Sequence, residues 1–115
     1  MEYTRSQLDN CVLLKARGRA IVIGEGDAQL IKEVRNLIEE GRRQVILNLA
    51  GVSKIDSSGV GALVSSYTNL MNVGGELMLS EVHPTIQEML EMTAISKFLK
   101  SFDGDEAAAA AFGGA

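Results

Sequence analysis

The amino-acid sequence predicts an α/β fold, because short apolar segments typical of strands alternate with longer segments whose apolar residues recur at helical spacing. Strands separated by helices pair in parallel through right-handed crossovers, so the helices are expected to cover the sheet. The chain has 115 residues, a usual size for one domain, and we expect residues 1–115 to form a single domain. Hydrophobic residues make up 46% of it, a normal share for a globular protein, which argues against a disordered class.

The first part of the chain has the composition of strands. Two apolar runs, residues 11–14 and 20–23, flank Arg17-Gly18-Arg19, which suits a turn. We therefore expect an antiparallel hairpin in this region.

From Asp27 the apolar residues follow a helical period. Asp27 suits the N-cap and Gly41 the C-terminal cap. The inner face of this helix is predicted to comprise Leu30, Ile31, Val34, Leu37 and Ile38. The next run, residues 45–49, is short and apolar apart from Asn48, as expected for a buried parallel strand between helical layers. We place it at the centre of the sheet.

A second amphipathic helix follows Ser57 and Ser58 and ends at Gly74-Gly75. Its inner stripe is predicted to comprise Val60, Leu63, Val64, Tyr67, Leu70 and Met71. A strand at residues 76–80 comes next.

His83-Pro84 is expected to open a third helix, since proline is favoured at the first helical position. The inner face of this helix is predicted to comprise Ile86, Met89 and Leu90. A short strand near residues 98–102 would complete the sheet.

The tail, about residues 103–112, has two interpretations. Asp103 or Asp105 can cap a final helix, which the five alanines favour strongly, and Phe112 would anchor that helix against the body. The alternative is a frayed terminus, because such short helices are marginal without tertiary contacts.

Charge and composition exclude several functional classes. The 11 basic and 15 acidic residues give a net charge of −4, and the basic residues are scattered, which argues against a nucleic-acid partner. No apolar run approaches the roughly 20 residues that span a bilayer, and no signal-peptide pattern is present, so a cytoplasmic protein without membrane association is expected. With one cysteine, Cys11, the chain forms no internal disulfide, and we expect this residue in the core or sheet. We expect no metal or cofactor.

The sequence around the two serines does not match catalytic motifs. A serine hydrolase has glycine two residues before the nucleophile, where Ile55 and Asp56 stand here. Gly59-Val60-Gly61 lacks the further glycine and the Lys-Ser/Thr pair of nucleotide-binding loops. His83 is the single histidine and suits a solvent-facing cap or turn. Because no base, nucleophile and oxyanion group converge, we expect a protein that is bound and switched, and not an enzyme.

The most informative segment is residues 52–61, which places Ser57 and Ser58 at the junction of a loop and a helix start. Unpaired N–H groups and the positive end of the helix dipole can hold an anion, so a phosphoryl group on Ser58 would fit there. Gly59 and Gly61 carry no side chain, which lets the catalytic cleft of a partner come close to the hydroxyl. The competing interpretation is that either serine serves as the N-cap.

With this segment, the sequence resembles the STAS family, and within it the bacterial anti-sigma factor antagonists. The resemblance covers almost the whole chain and implies the STAS fold, a mixed sheet of four to six strands with about four helices packed against it. The matching segments are residues 24–27, 45–49, 56–61, 74–77 and 106–107.

The resemblance implies a partner-switching cycle. Similar antagonists bind an anti-sigma factor, itself a serine kinase that uses ATP and magnesium, and thereby free a sigma factor for transcription. The kinase phosphorylates the second serine of Asp-Ser-Ser-Gly, here Ser58, the modified form is released, and a serine phosphatase reverses the modification. The family also implies kinase contact by Asp27 and by the residues around Ser58, namely Asp56, Ser57, Gly59, Val60 and Gly61. A monomer or weak dimer is expected.

Two positions depart from the family pattern, since many relatives have Asp at the position of Asn48 and Leu at that of Gly26, which affects partner-facing or core detail. STAS domains also serve in signalling scaffolds and in cytoplasmic parts of anion transporters, so a scaffold or small-ligand-sensing module is the alternative function. Given the resemblance, we predict phosphorylation at Ser58 and leave capping to Ser57. Asp27 suits both capping and partner contact.

Overall fold

The fold is a five-stranded mixed sheet with four α-helices, as a computed structural model describes it for residues 1–112. The strands are β1 (Glu2–Gln7), β2 (Val12–Ile21), β3 (Gln44–Ile55), β4 (Glu76–Ser80) and β5 (Ser101–Phe102). The helices are α1 (Asp27–Glu39), α2 (Ser57–Asn72), α3 (Pro84–Met92) and α4 (Asp105–Ala111), with a short 3-10 helix at Ile95–Lys97. The predicted fold class is therefore confirmed. Residues 113–115 of the predicted domain lie outside the described residues.

The strands follow the order β1-β2-β3-β4-β5, with β1 antiparallel to β2 and all other neighbours parallel. The prediction that residues 45–49 form the central strand is confirmed. These five residues are buried because the sheet is covered on both faces at this point. Val45, Leu47 and Leu49 belong to the main apolar core, whereas Ile46 packs in a smaller cluster with Ala108 of α4.

The hairpin predicted between residues 11–14 and 20–23 is wrong, because both segments contribute to the single strand β2. The antiparallel hairpin in this region instead joins β1 to β2. The chain reverses at residues 8–11, where the Leu8 N–H donates to the Cys11 carbonyl at 2.9 Å. Arg17-Gly18-Arg19 lies inside β2, where the pairing with β3 shifts register. Gly18 (φ +140°) and Arg19 (φ +72°) form an irregularity within one long strand, because β2 stays paired to β3 on both sides of it.

Strand β3 is longer than predicted and replaces the loop expected from residue 52 onward. Its second half pairs with the second half of β2, and Val52 and Ile55 are buried. Gly51 marks a close approach of the two strands, since a Cβ there would come within 2.8 Å of the Ala16 carbonyl oxygen. Glycine and polar residues interrupt the apolar pattern here, so the periodicity of the sequence does not predict this part of the strand.

The predicted glycine caps at the C-terminal ends of α1 and α2 are confirmed, whereas the predicted aspartate caps at the N-termini of α1 and α4 are wrong. Gly41 (φ +81°) ends α1, with its N–H bonded to the Ile38 carbonyl and the Arg42 N–H bonded to the Leu37 carbonyl. The predicted end of α2 at Gly74-Gly75 is likewise present.

At their N-termini, α1 and α4 have glycine at the cap position and no side-chain cap bond. Asp27 and Asp105 are instead the first residues of their helices, and Asp103 lies outside α4. Gly26 has φ +84°, a conformation that glycine adopts without the strain that a Leu at this position would meet.

The inner stripe of α2 is narrower than predicted. Leu63 and Leu70 are fully buried, but Met71 is 48% exposed. Met71 is rotated by about 100° from Leu70 around the helix, which carries it off the buried face.

The tail is helical, as one interpretation predicted, and Phe112 packs against the sheet. Ala108 and Phe112 contact the cluster that contains Cys11, Leu13 and Ile46. The strand expected near residues 98–102 is present but short. None of the helices described in residues 1–112 combines the length and the apolar character needed to cross a bilayer.

Candidate functional site

The site around Ser58 lies at the carboxyl end of the central strands, where β3 passes directly into α2. The predicted cap at Ser57 is wrong, because Asp56 occupies the N-cap position with an extended backbone. Its Oδ1 accepts from the Gly59 N–H at 2.9 Å. Asp caps a helix about as well as Ser does, and here its second carboxylate oxygen also accepts a hydrogen bond. Ser57 and Ser58 are therefore the first and second residues of α2.

Asp56 also ties a second segment to the start of α2. Its Oδ2 accepts from the Ile23 N–H at 3.0 Å, across 33 positions of sequence. The N–H groups of Ile23 and then Gly59 lower the pKa of Asp56 below its ordinary value, because they stabilise the charged carboxylate. Asp56 is thus a fixed negative charge beside Ser58 at neutral pH.

The surroundings of Ser58 differ from those of a vacant helix N-terminus. Ser57 is exposed and Ser58 half-buried. The expectation that unpaired helix N–H groups await an anion is met only in part, because Asp56 already occupies the Gly59 N–H. A phosphoryl group on Ser58 would therefore lie beside a carboxylate.

Gly59 and Gly61 have different surroundings. A Cβ on Gly59 would overlap the Ile21 carbonyl and the Ile55 side chain, so this glycine lets α2 pack onto the ends of β2 and β3. A Cβ on Gly61 would meet no heavy atom within 4 Å, and Gly61 is exposed. Gly61 lies on open surface, whereas Gly59 lies inside; Val60 between them is partly buried against the core.

Asp27 is brought to the same end of the molecule by a tight turn after β2. Val22 and Glu25 exchange two backbone hydrogen bonds of 2.9 Å each. The carbonyl of Gly26 accepts from the Tyr3 hydroxyl at 2.9 Å, and Asp27 follows as the first residue of α1. Burial, and then the charge of Asp27, raise the pKa of Tyr3. Hydrogen bonds at Val22 and at Gly26 thus fix the turn that precedes Asp27.

One residue of this site was missed by the sequence analysis. Ile23 was assigned to a strand, but β2 ends at Ile21, and the Ile23 side chain is 74% exposed. The sequence feature that could have indicated this position is the Gly-Glu-Gly that follows Ile23, because such a sequence favours a turn immediately after the strand.

His83 and Asn48, the latter a position that departs from the family pattern, have structural roles away from Ser58. The Nδ1 atom of His83 accepts from the Thr85 N–H at 3.2 Å and caps α3, as predicted. Asn48 is buried, and its Nδ2 donates to Glu81 Oε2 at 2.6 Å and to Asp105 Oδ1 at 2.8 Å. Asn48 therefore belongs to the attachment of α4 to the sheet.

Within residues 1–112, no three or more His, Cys, Asp or Glu side chains are grouped so that they could hold a metal ion. What the site offers is the half-buried serine Ser58, a fixed carboxylate and an open surface.

Comparisons with known proteins agree on one family. The STAS domain model matches residues 7–108. BtrV of Bordetella bronchiseptica, named as an anti-sigma factor antagonist, is 30% identical over 112 residues, which cover 97% of this chain and 95% of BtrV.

Solved structures of anti-sigma factor antagonists have the same fold. The one from Thermotoga maritima matches with a TM-score of 0.83 and 22% identity, over 92% of this chain and 90% of its own. SpoIIAA in its unphosphorylated form matches with a TM-score of 0.72 and 20% identity, over 96% of both chains. The phosphorylated form of Bacillus SpoIIAA matches with a TM-score of 0.69 and 20% identity, over 92% of this chain and 96% of its own.

Proposed function

The chain belongs to the STAS domain family, and we propose that it is an anti-sigma factor antagonist whose partner is an anti-sigma factor serine kinase. In its unmodified form it binds the kinase and so releases a sigma factor; phosphorylation of Ser58 ends this binding, and a serine phosphatase restores it. The observation that carries the proposal is the position of Ser58, on the second residue of α2, beside Asp56 and the open surface at Gly61.

The geometry suits Ser58 as an acceptor of a phosphoryl group. A kinase brings the γ-phosphorus of ATP to the Ser58 Oγ; the new P–O bond forms as the bond to ADP breaks, and the hydroxyl proton passes to a base on the kinase. Such a reaction needs close approach, which the bare backbone at Gly61 permits. The names of the relatives support the same role.

The charges around Ser58 explain how the modification would end binding. A phosphate adds about −1.5 to −2 charge units. It would lie beside Asp56, which stays ionised and already uses the Gly59 N–H. In a closed interface, like-charge repulsion and desolvation can cost several kcal/mol. The isolated protein would keep its fold, because Ser58 lies at a helix start with access to solvent.

The first test is incubation of the protein with ATP, magnesium and each anti-sigma factor serine kinase of its host, followed by intact-mass measurement and site mapping. We expect a single phosphate on Ser58. Ser57→Ala should still be modified, whereas Ser58→Ala should not. Modification of Ser57, or of neither serine by any kinase, would contradict the proposal.

The second test measures binding. Ser58→Asp should fold but lose the kinase, and Ser58→Ala should bind it permanently. Ser65→Asp is the matched control, because Ser65 is an exposed serine further along α2. Equal binding by the two Ser58 variants would count against the switch.

A further inference from the structure

Five large apolar side chains are exposed in the part of the chain that the structure describes, and one of them belongs to a residue whose backbone N–H is bonded to Asp56 at the Ser58 site. Ile23, 74% exposed, follows the end of β2, which runs parallel to β3 and therefore ends at the Ser58 end of the sheet. Helices between parallel strands run back along the sheet. The other four end or follow such helices and lie toward the opposite end: Met71, Val73, Met92 and Phe98.

The fold does not account for the position of Ile23. Its side chain belongs to neither apolar cluster. Its backbone, however, is held firmly: the Ile23 N–H is bonded to Asp56 Oδ2, and the flanking Val22 and Glu25 exchange two hydrogen bonds. A side chain presented on a fixed turn loses little conformational entropy on binding, which favours its use as a contact.

The surroundings of Ile23 resemble the centre of a protein interface. The same turn and the adjoining helix starts carry three carboxylates, those of Glu25, Asp27 and Asp56, and Asp56 accepts from the Ile23 N–H. Interfaces commonly combine one well-packed apolar anchor with a polar rim that excludes water. The contact between Ile23 and Asp56 makes this surface continuous with the Ser58 site.

Resting on the function proposed above, we infer that Ile23 is the apolar anchor of the complex and inserts into an apolar pocket on the anti-sigma factor serine kinase. The pocket must have hydrogen-bond donors at its edge, because the turn of Ile23 and the adjoining helix starts carry carboxylates. Ile23 thus determines affinity for the kinase, while Ser58 determines whether binding is allowed.

The test is calorimetric titration of the ADP-loaded kinase that phosphorylates Ser58 with unphosphorylated variants of this protein. Ile23→Ser removes the apolar side chain and should raise Kd roughly 10- to 100-fold, the effect of losing one buried aliphatic contact. Ile23→Leu keeps the apolar volume and should bind nearly as the wild type does. The urea midpoint of Ile23→Ser should be unchanged, since the side chain contacts neither core cluster.

Met92→Ser is the matched control, because Met92 is 79% exposed and lies toward the other end of the sheet; it should leave Kd unchanged. If wild type binds and Ile23→Ser binds equally well, the inference about Ile23 is overturned while the proposed function stands. If the wild type binds no such kinase, the proposed function fails and the inference fails with it.

Discussion

Gly59 and Gly61 are two residues apart in the sequence and have unrelated physical roles. From the sequence, both were assigned to partner approach, because a glycine pattern does not show which residue faces the core. The difference comes from contacts between distant segments: Gly59 faces the ends of β2 and β3, and Gly61 faces solvent.

A Cβ at these two positions should therefore have opposite effects on stability. Gly59→Ala should lower the free energy of unfolding by about 1–3 kcal/mol or more, because the methyl group meets the Ile21 carbonyl, which cannot move freely. Gly61→Ala should raise it by about 0.5–1 kcal/mol through helix propensity. Urea unfolding of both variants tests this, and similar effects at both positions would show that the packing assigned to Gly59 is wrong.

Asp56 should make the stability depend on pH in the acidic range. Its pKa is lowered in the folded protein from an ordinary value of 3.8, first by the Ile23 N–H and then by the Gly59 N–H. A lowered pKa contributes stability that is present above the unfolded-state value and is lost as pH falls from there through the folded-state value.

Asp56→Asn should consequently be less stable than the wild type at neutral pH, and the difference should shrink as the pH falls below about 4. Urea midpoints measured across this range check the prediction. Asp103→Asn is the control, because Asp103 is exposed and no hydrogen bond to its side chain is found in residues 1–112. A difference between wild type and Asp56→Asn that does not change with pH would contradict the assigned cause.

At the scale of elements, α4 is the helix whose attachment depends most on polar contacts. It has seven residues, and among them only Ala108 is fully buried. Its first residue, Asp105, accepts hydrogen bonds from Asn48 at 2.8 Å and Ser80 at 2.6 Å. Near its end, the Asn10 side chain donates to the Ala109 carbonyl at 3.0 Å. A short helix depends on such contacts, because it is not stable alone.

Asn48→Asp should loosen α4 and expose Cys11. The new carboxylate donates no hydrogen bond and would face Glu81 and Asp105, both now bonded to the Asn48 amide. Cys11 is buried under α4, and burial, followed by the charge of Asp105, raises the pKa of its thiol. Undocking should expose the thiol and lower its pKa, so the rate of reaction with a thiol reagent should rise at least about 10-fold.

The control for this experiment is Asn72→Asp, the same substitution at an exposed position in the last turn of α2. It should leave the reactivity of Cys11 unchanged. An unchanged rate in Asn48→Asp would mean that Asn48 does not hold α4.

Most elements could be predicted from the sequence, because their apolar spacing reflects burial directly. The strand at residues 76–80, the start of α3 at Pro84 and the glycine ends of α1 and α2 are all confirmed. The irregularity in β2 and the second half of β3 could not be predicted. There, glycine serves a close approach of two strands, and the same residue in sequence is equally typical of a turn.

At the scale of the whole molecule, the position of Ser58 could be predicted from the sequence, and the presence of Ile23 at the same site could not. Alternation of strands and helices places residues 56–58 at the carboxyl end of the sheet, which is enough to find the serine. Ile23 is tied to the site by its bond to Asp56, 33 positions away. A contact between residues so far apart in the sequence depends on the register of β2 against β3, which the local sequence pattern does not determine.

The arrangement of strand edges predicts a monomer in solution. The outer strand β1 is largely exposed and carries Glu2 and Arg5, and the other edge, β5, has two residues. Short or charged edges resist pairing with another sheet, and a net charge of −4 adds mutual repulsion between copies. The described part of the chain measures 33 × 25 × 23 Å, a shape without an extended arm for assembly.

Light scattering coupled to size exclusion should therefore give a mass near 12.3 kDa at all concentrations tested. A large assembly would instead favour a scaffold or ligand-sensing module, since an antagonist that exchanges partners must present the Ser58 surface as a small free species.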